Sequence, residues 1–323
     1  MKKILSFIIG ILLITGIAVQ ASDLVIESKS QTYKEEESKI KFDGDVKVTI
    51  DDLKVVGDKA DVNIVGGKKL DTATFYDKPY AFEIKKNKKR EVKANILKVS
   101  LITKIIKAEG DTQSVVFNGK TPVVVINADA QEYNTKTGVM TATGTVTMLY
   151  KDLESYSNAA EITTDKNGDL KKLVLIGNAR VKQDNNETLA DRLVYDATTE
   201  NITATGNTTS TVYTDDGTKM VLKSGMQQYN QKRGTFNAST NVRIWYDDYY
   251  AAGPKVTLYP GPNGKPNEAN FIGRSSITQG VRTIFADRIK MTMKPKTFDA
   301  TGNTRTVIKN IGSNSGDNVT LGL

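Results

Sequence analysis

The sequence predicts an all-β protein, an elongated antiparallel roll built from about nine two-strand repeats. Three observations predict it. Apolar residues recur at every second position, as in "MTATGTVTM", where Met140, Ala142, Gly144, Val146 and Met148 share one parity and four threonines share the other. A strand sends successive side chains to opposite faces, so one face of this strand is apolar and the other bears hydroxyls. The pattern repeats along the chain at a nearly fixed period. Polar turn residues such as "NTKTG", "DATTEN" and "NQKRG" separate the strands.

The repeats align on a glycine or its substitute at Gly44, Asp77, Gly110, Gly144, Gly177, Gly206, Thr240, Gly273 and Gly302. The interval is nearly constant and shortens only twice, before Gly206 and before Gly302. Such self-similarity marks a repeat architecture whose unit is one supersecondary element. A second strand precedes several of these positions. Ala128-Asp129, Ala190-Asp191 and Ala286-Asp287 each put the Asp at one fixed offset before its glycine, at Gly144, Gly206 and Gly302, and Asn95 stands at the same offset before Gly110. Tyr33, Tyr133, Tyr195 and Tyr229 share a second, shorter offset before Gly44, Gly144, Gly206 and Thr240. Each unit therefore reads strand, turn, strand. Helical solenoids share the period, but the apolar spacing here is two and β-branched residues dominate. A propeller blade needs four strands and a longer unit. "DKNGDLKKLVLIG" carries Asn167-Gly168, a hairpin signal. The recurring small residue is expected to let the strand bend or let backbones approach closely.

The face that carries the glycines is apolar in nearly every rung. Its members are Ile40, Phe42, Val46 and Val48; Met140, Val146 and Met148; Leu173, Leu175 and Val181; Ile202; Phe236, Val242 and Ile244; and Phe298. These residues form either the structural core of a sandwich or the lining of a binding site, since a row of hairpins closed over itself makes a long apolar trough; they are the candidate inner-face binding residues. A one-residue slip would reverse both faces, so register is well specified.

The chain has 323 residues, no Cys and no His, and a net charge of +8. Disulfides, thiol chemistry, the commonest general base and the commonest metal ligand are thereby excluded. No metal or cofactor site is expected. The recurring acids fall one per rung, whereas a hydrolase concentrates its carboxylates, so no catalytic residue and no enzyme activity are expected. Asp129, Asp191 and Asp287 are expected to bond turn backbone. The basic run "KKNKKR", residues 85–90, reads as a solvated hairpin tip or as a contact for lipid phosphates. "WYDDYY", residues 245–250, reads as a strand-end contact or a core plug, and "PGPNGKPNEAN", residues 260–270, as a loop.

At the N-terminus, Lys2 and Lys3 precede an apolar run over residues 4–19 and a Val19-Gln20-Ala21 site. This is the layout of a signal peptide over residues 1–21, cleaved after Ala21 or retained as an anchor, with residues 22–323 forming the repeat domain. Export to the periplasm follows, and nucleic acid is excluded as a partner.

"ADRLVYDATTENITATGN", residues 190–207, resembles the repeat of the OstA-like (LptA) family, with echoes in "ADAQEYNTKTGVMTATGTV" at 128–146 and "ADRIKMTMKPKTFDATGNT" at 286–304. The resemblance implies a twisted β-jellyroll and a periplasmic protein of lipopolysaccharide transport. It implies acyl chains bound within the roll, and head-to-tail stacking between jellyroll partners at the inner and outer membranes. Nine units exceed the typical length of that family, and Thr240 and Asp77 depart from its glycine. An anchored LptC-like component, and a structural or adhesive β-solenoid with a dry core, are the alternatives.

Overall fold

In the computed structural model the described residues are 24–309, apart from 67–68, 86–87, 151–152, 166–168 and 215. The leader expected over residues 1–21 and the hairpin turn expected at Asn167-Gly168 lie outside them. The described residues form 22 strands and no helix, and all pairings are antiparallel within one elongated sheet.

The chain is a meander in which each long strand pairs with its neighbours in sequence. Ile105–Asn118 pairs with Thr121–Asn134, that strand with Val139–Tyr150, and so on to Arg282–Thr292. Four rungs consist of two short strands each: Leu24–Glu27 with Ser30–Lys34, Lys69–Tyr76 with Tyr80–Lys85, Lys88–Lys93 with Ile96–Ser100, and Thr297–Thr301 with Arg305–Ile308. In each case both pieces pair with the same long strand.

Every aligned position is a bend. Gly44, Asp77, Gly110, Gly144, Gly177, Gly206, Thr240, Gly273 and Gly302 all have positive φ, and in all but the unit of Gly273 the next residue does too. Two consecutive left-handed residues turn the strand, and the ladder shifts register there, as between Asp43 and Val46 or Thr143 and Val146. Each long strand is thereby divided into halves. Because neighbours run antiparallel, the half before the bend, such as 139–143, pairs with halves that follow the matching point of the adjacent strands, 130–134 and 159–163, and the half after it, such as 146–150, pairs with halves that precede that point, 124–127 and 153–157. The sheet thus folds over itself along a spine of bends and buries one parity of both halves.

Close approach accompanies the bend. A Cβ on Gly110 would lie 2.7 Å from Asn95 Nδ2, and one on Gly302 would lie 2.8 Å from Asp287 Oδ2. Asp191 and Asp287 cover the glycines and accept hydrogen bonds from Asn207 and Asn303 at 3.1 and 2.7 Å. Their carboxylates thus serve the spine rather than the turn backbone expected of them.

The interior holds three apolar clusters. The first is built around Phe42, Val46, Phe75 and Leu97, the second around Val146, Leu173 and Leu175, and the third around Leu222, Ile244, Phe271 and Ile289. The segment expected as a loop over 260–270 is one only to Lys265, because the strand Pro266–Gln279 begins within it. "WYDDYY" is a hairpin end: Tyr246 is buried, while Trp245 lies against Tyr250 on the outside, with ring centroids 5.4 Å apart and the ring planes tilted by 49°.

Candidate functional site

All fifteen inner-face residues turn inward. Ile40, Phe42, Val46 and Val48 belong to the first cluster. Met140, Val146, Met148, Leu173, Leu175, Val181 and Ile202 belong to the second, and Phe236, Val242, Ile244 and Phe298 to the third. Most are closed in by neighbouring rungs. Met140 and Met148 differ, because they line a cavity of about 280 Å³ between the first and second clusters.

The cavity is a slot that runs from the two rows of hairpin turns, the lips of the folded sheet, toward the spine. One wall carries Val92, Val116, Val124, Met148 and Tyr150, from the side of the sheet that holds 146–150. The other carries Ile106, Tyr133, Met140, Ile162 and Leu170, from the side that holds 139–143. Apolar walls of this kind favour a hydrocarbon guest, since each CH₂ taken from water contributes about 0.8 kcal/mol before ordering costs. Two methionines in the lining supply unbranched, adaptable surface.

The mouth is charged. Lys88, at the turn after Tyr80–Lys85, pairs with Asp169 across the opening, and the Arg90 guanidinium donates to Tyr133 Oη and lies over its ring at 5.3 Å. Lys89 pairs with Glu91 on the same strand. Burial pushes the Glu91 carboxyl up, but Lys89 and Tyr80 together hold it below its ordinary value. Lys88 and Arg90 of the basic run are therefore not a free solvated tip, because they bind across the mouth. Elsewhere the lips are joined by Lys104–Asp51 at 3.1 Å and by Lys296–Asp247.

The floor of the slot is polar. Gln131 and Ser114 line it, and Ser114 Oγ donates to Gln131 Oε1, while Gln131 Nε2 donates to Thr112 O and Ile126 O at 3.3 and 3.2 Å. Gln131 shares its parity with the apolar residues and was not among the expected site positions. Its signal was available: "QEYN" at 131–134 returns as "QQYN" at 227–230.

Among the described residues no group of three or more Cys, His, Asp or Glu is placed to hold a metal ion, and no helix is long and apolar enough to cross a membrane. Residues 25–121 match the family described as LptA/(LptD N-terminal domain) LPS transport protein, a match that covers less than a third of the chain. No curated protein matches the sequence. Among solved structures the chain is similar to LptH of Pseudomonas aeruginosa, described as the LptA homologous periplasmic component of the lipopolysaccharide transport device. The identity is 11% and the TM-score 0.36, over 40% of this chain and 95% of that one.

Proposed function

We propose that this protein is a periplasmic carrier for lipopolysaccharide or a related lipid, acting as a binding bridge and not as an enzyme. One observation carries the reading: a slot with apolar walls, a charged mouth and a depth set by the fold opens between the lips of an antiparallel roll. Its chemistry fits an amphiphile, with the chain against Met140 and Met148 and anionic headgroup atoms near Lys88 and Arg90. The family match over residues 25–121 agrees with it. The remaining inner-face residues, from Ile40 to Phe298, extend the same apolar parity along the roll, and a chain would reach them only by parting the rungs that close them in. No energy source is encoded in a binding roll, so direction comes from jellyroll partners docked at its two ends. The leader at residues 1–21 delivers the chain to the periplasm.

A photo-crosslinking residue at Met148 should capture lipid in cells, and one at Leu149, on the outer face of the same strand, should not. Equal labelling at the two positions would overturn the carrier reading.

A further inference from the structure

The row of inward residues beside the spine can be followed rung by rung through the ladder. It runs Ala108, Gln131, Ala142, Ala160, Leu175, Leu193, Ala204, Gln227, Ala238. Only the two glutamines in it are polar, and alanine flanks each on both sides. Gln131 and Gln227 stand three repeats apart and are buried, with 5% and 2% of their surface exposed.

Both make the same bridge. Ser210 Oγ donates to Gln227 Oε1, and Gln227 Nε2 donates to Leu222 O at 3.2 Å, as Ser114, Gln131 and Ile126 O do in the earlier copy. A threonine two positions before each serine completes the copy, Thr112 donating to Ala128 O at 2.7 Å and Thr208 to Ser224 O at 2.8 Å. The glutamine belongs to the side of the folded sheet that holds 139–143 and the serine to the side that holds 146–150, so each bridge ties the two sides together. The three apolar clusters break at these two rungs.

We infer that the Ser114–Gln131 bridge is the stop that limits how far an apolar chain can enter the slot, and so sets the chain length the protein accepts. The inference rests on the carrier reading. A fully satisfied amide inside an apolar interior is costly to break, because the separated groups would be left without partners. A methylene that reaches the bridge gains no further apolar wall. Affinity should therefore rise with chain length, by about fourfold per CH₂, and then stop rising. The Ser210–Gln227 bridge lies beyond the slot and has no part in that limit.

The test is calorimetric binding of a series of saturated fatty acids from eight to eighteen carbons, each below its micelle concentration. The unaltered protein should show a break in the plot of affinity against length. The double variant Ser114→Ala with Gln131→Leu removes both partners at once, leaves no orphaned group, and should move the break to longer chains by two carbons or more. Ser210→Ala with Gln227→Leu should leave it in place, and far-ultraviolet circular dichroism checks that both variants fold. Should the first double variant fail to fold, Gln131→Met alone serves, with the same shift expected. An unmoved break, or an equal shift in both double variants, overturns this inference while leaving the carrier intact. No fatty acid bound by the unaltered protein at any length overturns the carrier reading and the inference with it.

Discussion

Asp287 Oδ2 lies 2.8 Å from the place a Cβ on Gly302 would occupy, and it accepts the side-chain amide of Asn303 at 2.7 Å. One carboxylate thus requires a glycine in the next rung and holds the second residue of the bend. Asp191 does the same for Gly206 and Asn207. The recurring Asp, the glycine opposite it in the next rung and the Asn beside that glycine are one device, repeated along the spine.

Gly206→Ala is expected to be strongly destabilising. Its φ is +76°, where an L side chain costs about 1–2 kcal/mol, and its Cβ would overlap the Asp191 carboxylate. A loss of about 2–3 kcal/mol, read as a lower urea midpoint at unchanged m, is the expected outcome. The double variant with Asp191→Ala should recover the part due to overlap and keep the part due to φ.

Thr240 reverses the device. It sits at φ +68° where other units have glycine, and Gly225 stands opposite it, in the place where other units put Asp or Asn. A Cβ on Gly225 would come within 2.9 Å of Thr240 Cβ. The small residue has changed sides, and the close approach is kept. Thr240→Gly should therefore stabilise by about 1 kcal/mol by relieving a β-branched residue in the left-handed region. Gly225→Asp alone should destabilise. Both are read from denaturant midpoints.

The lips offer a prediction about access. Lys88–Asp169, Lys104–Asp51 and Lys296–Asp247 join opposite rows of turns, and all are at least partly exposed. Pairs of this kind contribute at most about 1 kcal/mol each and weaken with salt. Lys88→Met should leave global stability nearly unchanged yet open the mouth of the slot. The chain has no cysteine, so Met148→Cys supplies a single thiol inside it. Its maleimide labelling should be slow in low salt, faster in high salt, and fast at both with Lys88→Met added.

Much of this was legible in the sequence because period-two alternation fixes which side chains face inward, and all fifteen inner-face residues do. The bend was legible at the glycines, and Asp77 and Thr240 keep positive φ without one, since the neighbouring strands impose it. What alternation cannot tell is whether an inward residue meets a packed neighbour or an open slot. Met148 and Val46 have the same parity, yet only Met148 lines the cavity. The difference arises across rungs, where Ala108 and Ala142 flank Gln131 and the walls stand apart. Gln131 is marked in the sequence only by the return of its "QEYN" as "QQYN", and a polar residue at an inward position reads as an interruption until its partner, Ser114, is placed beside it.

Asp216 gives a pH prediction. The Thr214 hydroxyl, and after it the Thr218 amide, hold its carboxyl down to about 2. A carboxyl whose folded value is depressed contributes stability above its unfolded value of about 3.9, and that contribution is lost as pH falls toward 2. The turn after Asn201–Tyr213 should be insensitive to pH between 5 and 8 and loosen only in acid. Thr214→Val should return the Asp216 carboxyl toward its ordinary value, measurable by NMR titration of its side-chain carbon.

The ends of the roll carry the last prediction. Leu24–Glu27 and Ser30–Lys34 pair only with Lys39–Ile50, and Thr297–Thr301 and Arg305–Ile308 only with Arg282–Thr292, so among the described residues each end presents two short strands with an unpaired edge. An unpaired edge can template another strand. Ser30–Lys34 is exposed throughout, while Val307 and Ile308 are half-buried and continue the ladder. Arg305 on this edge lies over the Phe285 ring at 4.6 Å, which leaves the backbone edge uncovered while adding a charge against uncontrolled growth. Joining one end to the other is a heterologous contact, so it propagates into chains and does not close into dimers. Sedimentation should show head-to-tail species that lengthen with concentration. Deleting residues 304–323 removes the last short strand, and should abolish that growth while the β-rich circular dichroism spectrum and the urea midpoint stay close to those of the full chain. Growth unaffected by the deletion would mean that this edge is not the docking surface.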